Sequence, residues 1–112
     1  MSYQELTAGI SVLRNYTNKM RDHGREAAMA DAHYRKVKAL AILEERQKGT
    51  PATLCKDVIY SRPDVQEALT ARNCTQAVYE SDREAINTEK LHLRIIDAQD
   101  ARDWQASGQK GY

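Results

Sequence analysis

Two prolines, Pro51 and Pro63, are the only ones in a chain of 112 residues, and they share one short window with Gly49. On either side the chain runs for more than forty residues without another. Proline removes a backbone donor and clashes with the preceding turn, so it punctuates helices, and long stretches without it are free to be helical. The order is therefore arm, connector, arm.

The first arm is expected over residues 3–48. With a seven-residue stride, Leu6, Leu13, Met20, Ala27, Tyr34 and Ala41 fall on one position. Gly9, Tyr16, His23, Ala30, Val37 and Glu44 fall three later. Nine of these twelve are apolar or aromatic, and the register does not slip. That is a coiled-coil-like seam. Leu13, Met20, Ala27, Ala30, Tyr34 and Val37 are its candidate contact residues, either within a hairpin or between two copies. The small Ala27 and Ala30 would let a partner helix come close. Gly24 lies off the seam and costs about 1 kcal/mol of helix stability, which makes it the place for a kink or break. "QKGTP" is a stop: Lys48 in the last turn, Gly49 as a left-handed cap, Pro51 beyond it.

The connector, residues 49–61, reads "GTPATLCKDVIYS". Leu54, Val58 and Ile59 are too apolar for a free loop. They are expected to form a short helical turn and an apolar knob at the hairpin end, a candidate partner contact. "SRPD" opens the second arm, residues 62–106, with Ser61 as its cap, Pro63 in the first turn and Asp64 completing a capping-box-like pair. The apolar stripe of this arm is Val65, Ala68, Leu69, Ala71, Cys74, Val78, Ala85, Ile86, Leu93 and Ile96, ending near Trp104. Its spacing is helical but its seam is less regular. Residues 107–112, "SGQKGY", read as a frayed tail.

Composition agrees with thin seams rather than a thick core. There is no Phe, and six Tyr and one Trp supply all the aromatic mass. Arms of about 45 residues would each be roughly 65 Å long, and a lone two-helix hairpin rarely buries enough surface to be stable. The expected fold is all-α, a long antiparallel helical hairpin that pairs with a second copy into a four-helix bundle. A monomeric three-helix bundle broken at Gly24 is the alternative.

Charge adds a second theme. The formal net charge is +1, but residues 1–48 carry nine Lys/Arg against six Asp/Glu, and residues 49–112 carry eight against ten. At about 100° per residue, Arg14, Arg21, Arg25, Arg35, Lys36 and Arg46 share one outward quarter of the first arm, over about 48 Å. A ridge like that can track a phosphate backbone. It also suits a solvated face or an acidic protein partner. Against nucleic acid, no aromatic stands on the ridge for stacking, since Tyr16 and Tyr34 fall on the seam.

Nothing in the chain reads as catalytic. Cys55 and Cys74 have no CxxC partner and read as free thiols of a reducing, cytoplasmic setting. His23, His33 and His92 are scattered, and no spacing suits a metal or a cofactor. Asp97, Asp100 and Asp103 read as a solvated helix face. No apolar run approaches the roughly 18 residues of a membrane span.

"HYRKVKALAILEERQKGTPATLCKDV", with "EAINTEKLHLR" further on, resembles small helical-hairpin proteins of unknown function from phages and prophages of Gram-positive and gut bacteria. The shared pattern is Tyr34-Arg35, then Gly49, Pro51, Thr53 and Leu54, then Asp57, with a second-arm match around Glu84, Ala85, Ile86 and Leu93. The resemblance covers about residues 30–100. It implies an accessory role at DNA or with a DNA-handling protein, near phage replication and recombination functions. It transfers no site residues. The chain as a whole is expected to be a non-enzymatic protein that forms a homodimeric hairpin and meets an unidentified protein partner, or alternatively binds nucleic acid.

Overall fold

A computed structural model describes residues 3–110, with side chains described through residue 108. Three helices and no strand occupy the described residues: α1 (Tyr3–Gln47), α2 (Ala52–Ser61) and α3 (Pro63–Lys110). The protein is all-α, and its two long helices are joined through a short one. Tertiary contacts divide it into two units, residues 1–20 with 81–112, and residues 21–80.

In residues 21–80, the lower part of α1 runs antiparallel to the start of α3, with α2 against both. α1 is continuous through Gly24, as the expected first arm over residues 3–48 requires, and the alternative break there does not occur. Gly24 serves a different purpose. A Cβ there would lie 3.1 Å from the Tyr79 ring, so the absent side chain lets the ring lie against the α1 backbone. α1 ends in a Schellman motif. Gly49 has φ of 89°, its N–H donates to the Arg46 carbonyl, and the Thr50 N–H donates to the Glu45 carbonyl at 3.0 Å. These bonds satisfy carbonyls that a helix end leaves orphaned, and only glycine takes that φ without strain.

α2 packs through an i, i+4 pair, Cys55 and Ile59. With Ala41 and Val65 they form the buried cluster of this unit, flanked by Val37 and Tyr60. Pro51 precedes α2 with φ of −59°, and Arg62, in extended conformation, separates α2 from α3. Ser61 does not cap α3 as expected. It is the last residue of α2, and its hydroxyl donates back to the Val58 carbonyl at 2.7 Å. Asp64 instead accepts the Val65 N–H at 2.9 Å.

In residues 1–20 with 81–112, Gly9 is buried, and a Cβ there would meet the Leu93 side chain. α3 continues through residues 107–110, past the expected end at 106, while residues 111 and 112 of the expected tail lie outside the described residues.

The α1 seam is where periodicity put it. Ala27, Tyr34 and Ala41 are buried, and Leu13, Tyr16, Met20, His23, Ala30 and Val37 are half-buried. At its ends Leu6 is exposed, and Glu45 rather than Glu44 turns inward. The α3 seam differs in part from the expected stripe. Its shielded positions are Val65, Ala68, Leu69, Arg72, Thr75 and Tyr79 in one unit, and Asp82, Ala85, Ile86, Glu89, Leu93, Ile96 and Asp100 in the other, so Val65, Ala68, Leu69, Ala85, Ile86, Leu93 and Ile96 lie where the stripe was expected. Ala71, Cys74, Val78 and Trp104, expected on the stripe, are exposed. The α3 seam steps by three and four like that of α1, but it includes five polar residues, Arg72, Thr75, Asp82, Glu89 and Asp100. The phase of α3 is set at its first turn, where Val65 is locked against Ala41 and Ile59. Every residue at heptad spacing from Val65 then inherits the inward face, whatever its polarity.

Candidate functional site

The turn of the hairpin, in residues 21–80, gathers most of the chemistry. Arg62 is its hub. Its guanidinium forks onto Asp64 (Nε to Oδ1 at 3.1 Å, Nη2 to Oδ2 at 3.0 Å) and also reaches Glu44 Oε2 at 2.7 Å and Glu45 Oε1 at 3.3 Å. Glu45 is only 7% exposed and takes further support from the Thr50 hydroxyl at 3.1 Å and the Lys48 ammonium at 3.6 Å. Bidentate charge-assisted bonds have a defined geometry, so this network fixes the end of α1 to the start of α3. The Asp64 and Glu44 carboxylates push the Arg62 guanidinium further towards its charged form, and Arg62 in return holds the Asp64 carboxyl below the usual range.

Beside this clasp, Tyr34, Lys38 and Tyr60 form a second group. Lys38 is hydrogen-bonded to the Tyr60 phenol, which lowers the phenol pKa and raises that of the ammonium. The Tyr34 phenol is raised, first by burial and then by its hydrogen bond to Tyr60. The other side of the Tyr34 ring faces Arg72, whose guanidinium carbon is 5.1 Å from the ring centroid. Arg72 Nε lies 3.9 Å from Asp31, so one seam arginine links an aromatic and a carboxylate of α1.

These contacts leave a groove of about 360 Å³ between α1 and α2. Its floor is Ile42, Ala52, Cys55, Ile59 and Tyr60, and its rim is Lys38, Arg46 and Lys56. None of these lining residues is a carboxylate. A smaller recess of about 230 Å³ between α1 and α3 is lined by His33, Val37, Asp64, Glu67, Ala68 and Ala71. The hairpin end therefore carries one apolar groove with a positive rim and one recess with a negative rim.

The expected knob divides. Leu54 is 54% exposed, Val58 is half-buried, and Ile59 is 2% exposed. Ile59 is core and cannot meet a partner, because the helical phase of α2 turns Cys55 and Ile59 inward together and leaves Leu54 outside. Of the basic ridge, Arg21, Arg25, Arg35, Lys36 and Arg46 are exposed in residues 21–80, and Arg14 is exposed in the other unit. Arg35 is paired with Asp31 at 3.0 Å, and Arg46 donates to the Thr50 carbonyl at 3.3 Å. The cysteines are free thiols, Cys55 buried and Cys74 exposed.

Arg62, Glu45, Lys38 and Lys56 were not legible as site residues. The only signal for Arg62 was its place between Ser61 and Pro63. Among the described residues no group of three or more His, Cys, Asp or Glu could hold a metal ion, and no helix is long and apolar enough to cross a membrane.

No family model, curated protein or solved structure matches this chain.

Proposed function

We propose that the chain is a non-enzymatic interaction protein, of the phage and prophage kind that its connector resembles, which self-associates and works through the groove between α1 and α2. Two hairpins brought together this way place four long helices in one assembly. The observation that carries the reading is the groove itself, an apolar floor about 360 Å³ in extent beneath three cations. Apolar area drives association, and a one-sign rim selects and steers the partner. Exposed Leu40, Leu43 and Met29 add apolar surface on α1 of the same unit.

Light scattering over a concentration series tests it. Ile42 lines the groove and is 38% exposed, so Ile42→Asp disturbs the surface and spares the core. The wild-type mass is expected to rise above that of one chain, and the variant to remain a single chain with unchanged helicity. Equal association by both would end the reading.

One observation favours a second reading, nucleic-acid binding. Five exposed cations, Arg21, Arg25, Arg35, Lys36 and Arg46, stand on one face of α1 within residues 21–80, over about 38 Å. If all five met phosphates, log affinity would fall against log salt with a slope of about −4 to −5. Fluorescence anisotropy with single- and double-stranded DNA, at low and physiological salt, reads this directly. Loss of binding on reversing Arg21, Arg25 and Arg35 would assign the ridge to phosphate, and no binding at low salt would remove the reading.

A further inference from the structure

The residues that the groove lacks, carboxylates around a large apolar side chain, occur elsewhere in the same chain. Near its end α3 carries Trp104, 79% exposed and the only tryptophan in the sequence. On a helix, exposed Asp97 stands seven residues before it on the same side, while Asp100, four before it, is half-buried on the seam. Asp103 is the next residue back, and Arg102 falls on the opposite side, so the surface around the indole is acidic. Tryptophan is among the residues most enriched as interface anchors, with a large apolar ring to bury.

We propose that the groove's occupant is the acid-flanked Trp104 end of α3 from a second copy of this chain. The proposal rests on the groove being the working surface of the protein. The indole enters over Ile42, Ala52 and Tyr60, and Asp97 and Asp103 face the rim cations Arg46 and Lys56. The size fits, because about 360 Å³ is at the lower end of ligand-pocket volumes and suits one large side chain. The charges fit as well, with three cations on the rim against an acidic surround on α3. The recess between α1 and α3 has no Lys or Arg in its lining, so it offers the same segment no counter-charge.

The single tryptophan makes the contact directly readable. The experiment is a concentration series in which Trp104 emission and light-scattering mass are recorded on the same samples, for wild type, Ile42→Asp and Lys56→Glu. In wild type the emission is expected to move to the blue in step with the mass, as the indole leaves water. Lys56→Glu and Ile42→Asp should abolish the blue shift at concentrations where wild type shows it. Trp104→Ala, followed by mass alone, should weaken association by about thirtyfold, the scale of an interface anchor. Adding Asp103→Lys to Lys56→Glu should restore part of the loss, which a general effect on folding would not.

Mass that rises while Trp104 emission stays that of a solvated indole would overturn the proposal. If Ile42→Asp still blocked that association, the groove reading would survive with a different occupant; if it did not, both would fall. A chain that remains single at all concentrations overturns the proposal as well. Trp104 is exposed, so its removal is expected to leave helicity intact, and circular dichroism on each variant confirms that the fold is held constant.

Discussion

Arg62 and Asp64 show how a few atoms organise the turn. A guanidinium that bonds three carboxylates cannot be replaced by a lysine, which lacks the planar fork. Asp64 has its pKa depressed in the folded protein, so its contribution is present above its unfolded value, about pH 4, and is lost as pH falls through the depressed folded value. Wild type is therefore expected to lose stability below about pH 4. Asp64→Asn should start lower at neutral pH and show a flatter fall, measured as Tm against pH. Parallel curves would show that the clasp does not couple folding to protonation. Tyr34 has the opposite sign. Its raised phenol contributes stability that is complete below about pH 10 and is lost as pH climbs through the raised value.

At the scale of the element, α2 is short, and ten residues cannot hold a helix in water on their own. Tertiary packing supplies the stability, through Cys55 and Ile59 against Ala41 and Val65. Ile59→Ala is expected to cost about 2–4 kcal/mol, as truncations of buried isoleucine do. Leu54→Ala, one turn earlier but 54% exposed, should cost less than about 0.5 kcal/mol. Urea unfolding of the two variants reads the difference, and similar losses would contradict an α2 that turns Ile59 inward and Leu54 outward. The α3 seam makes a related point. Residues such as Arg72 and Thr75 occupy it, Arg72 with its guanidinium over the Tyr34 ring and beside Asp31. Long side chains can lie across their neighbours and carry their polar ends to the edge. The Thr75 hydroxyl meets its own helix, at the Ala71 carbonyl, 2.9 Å away.

At the scale of the molecule, buried apolar clustering is concentrated in residues 21–80, where Ala41, Cys55, Ile59 and Val65 come together. Amide exchange is expected to be slowest around these four and fastest in α1 before Gly9 and in α3 after Asp100, where exposed residues dominate. Hydrogen-exchange mass spectrometry on peptides from each region measures this. Slowest exchange at the ends of α1 and α3 would place the stable nucleus away from the turn. An end of α3 that gains protection only at high protein concentration would agree with docking of the Trp104 segment.

Helix, connector and helix were readable because proline, glycine and a seven-residue apolar stride are local signals, decided by backbone sterics and by one face of one helix. Tyr34, Ala27 and Val37 could be placed on a seam for that reason, and so could the left-handed cap at Gly49. The inner face of α3 could not. Its sequence offers an apolar line through Ala71, Cys74 and Val78 that competes with the line through Arg72, Thr75 and Tyr79. Only the locking of Val65 at the turn chooses between them. The groove was hidden for the same reason. Lys38, Arg46 and Lys56 lie on two helices, and their convergence depends on where α2 folds back. Periodicity determines which residues of one helix share a face; which face meets which is a property of tertiary contact, because it is settled by packing between residues distant in the chain.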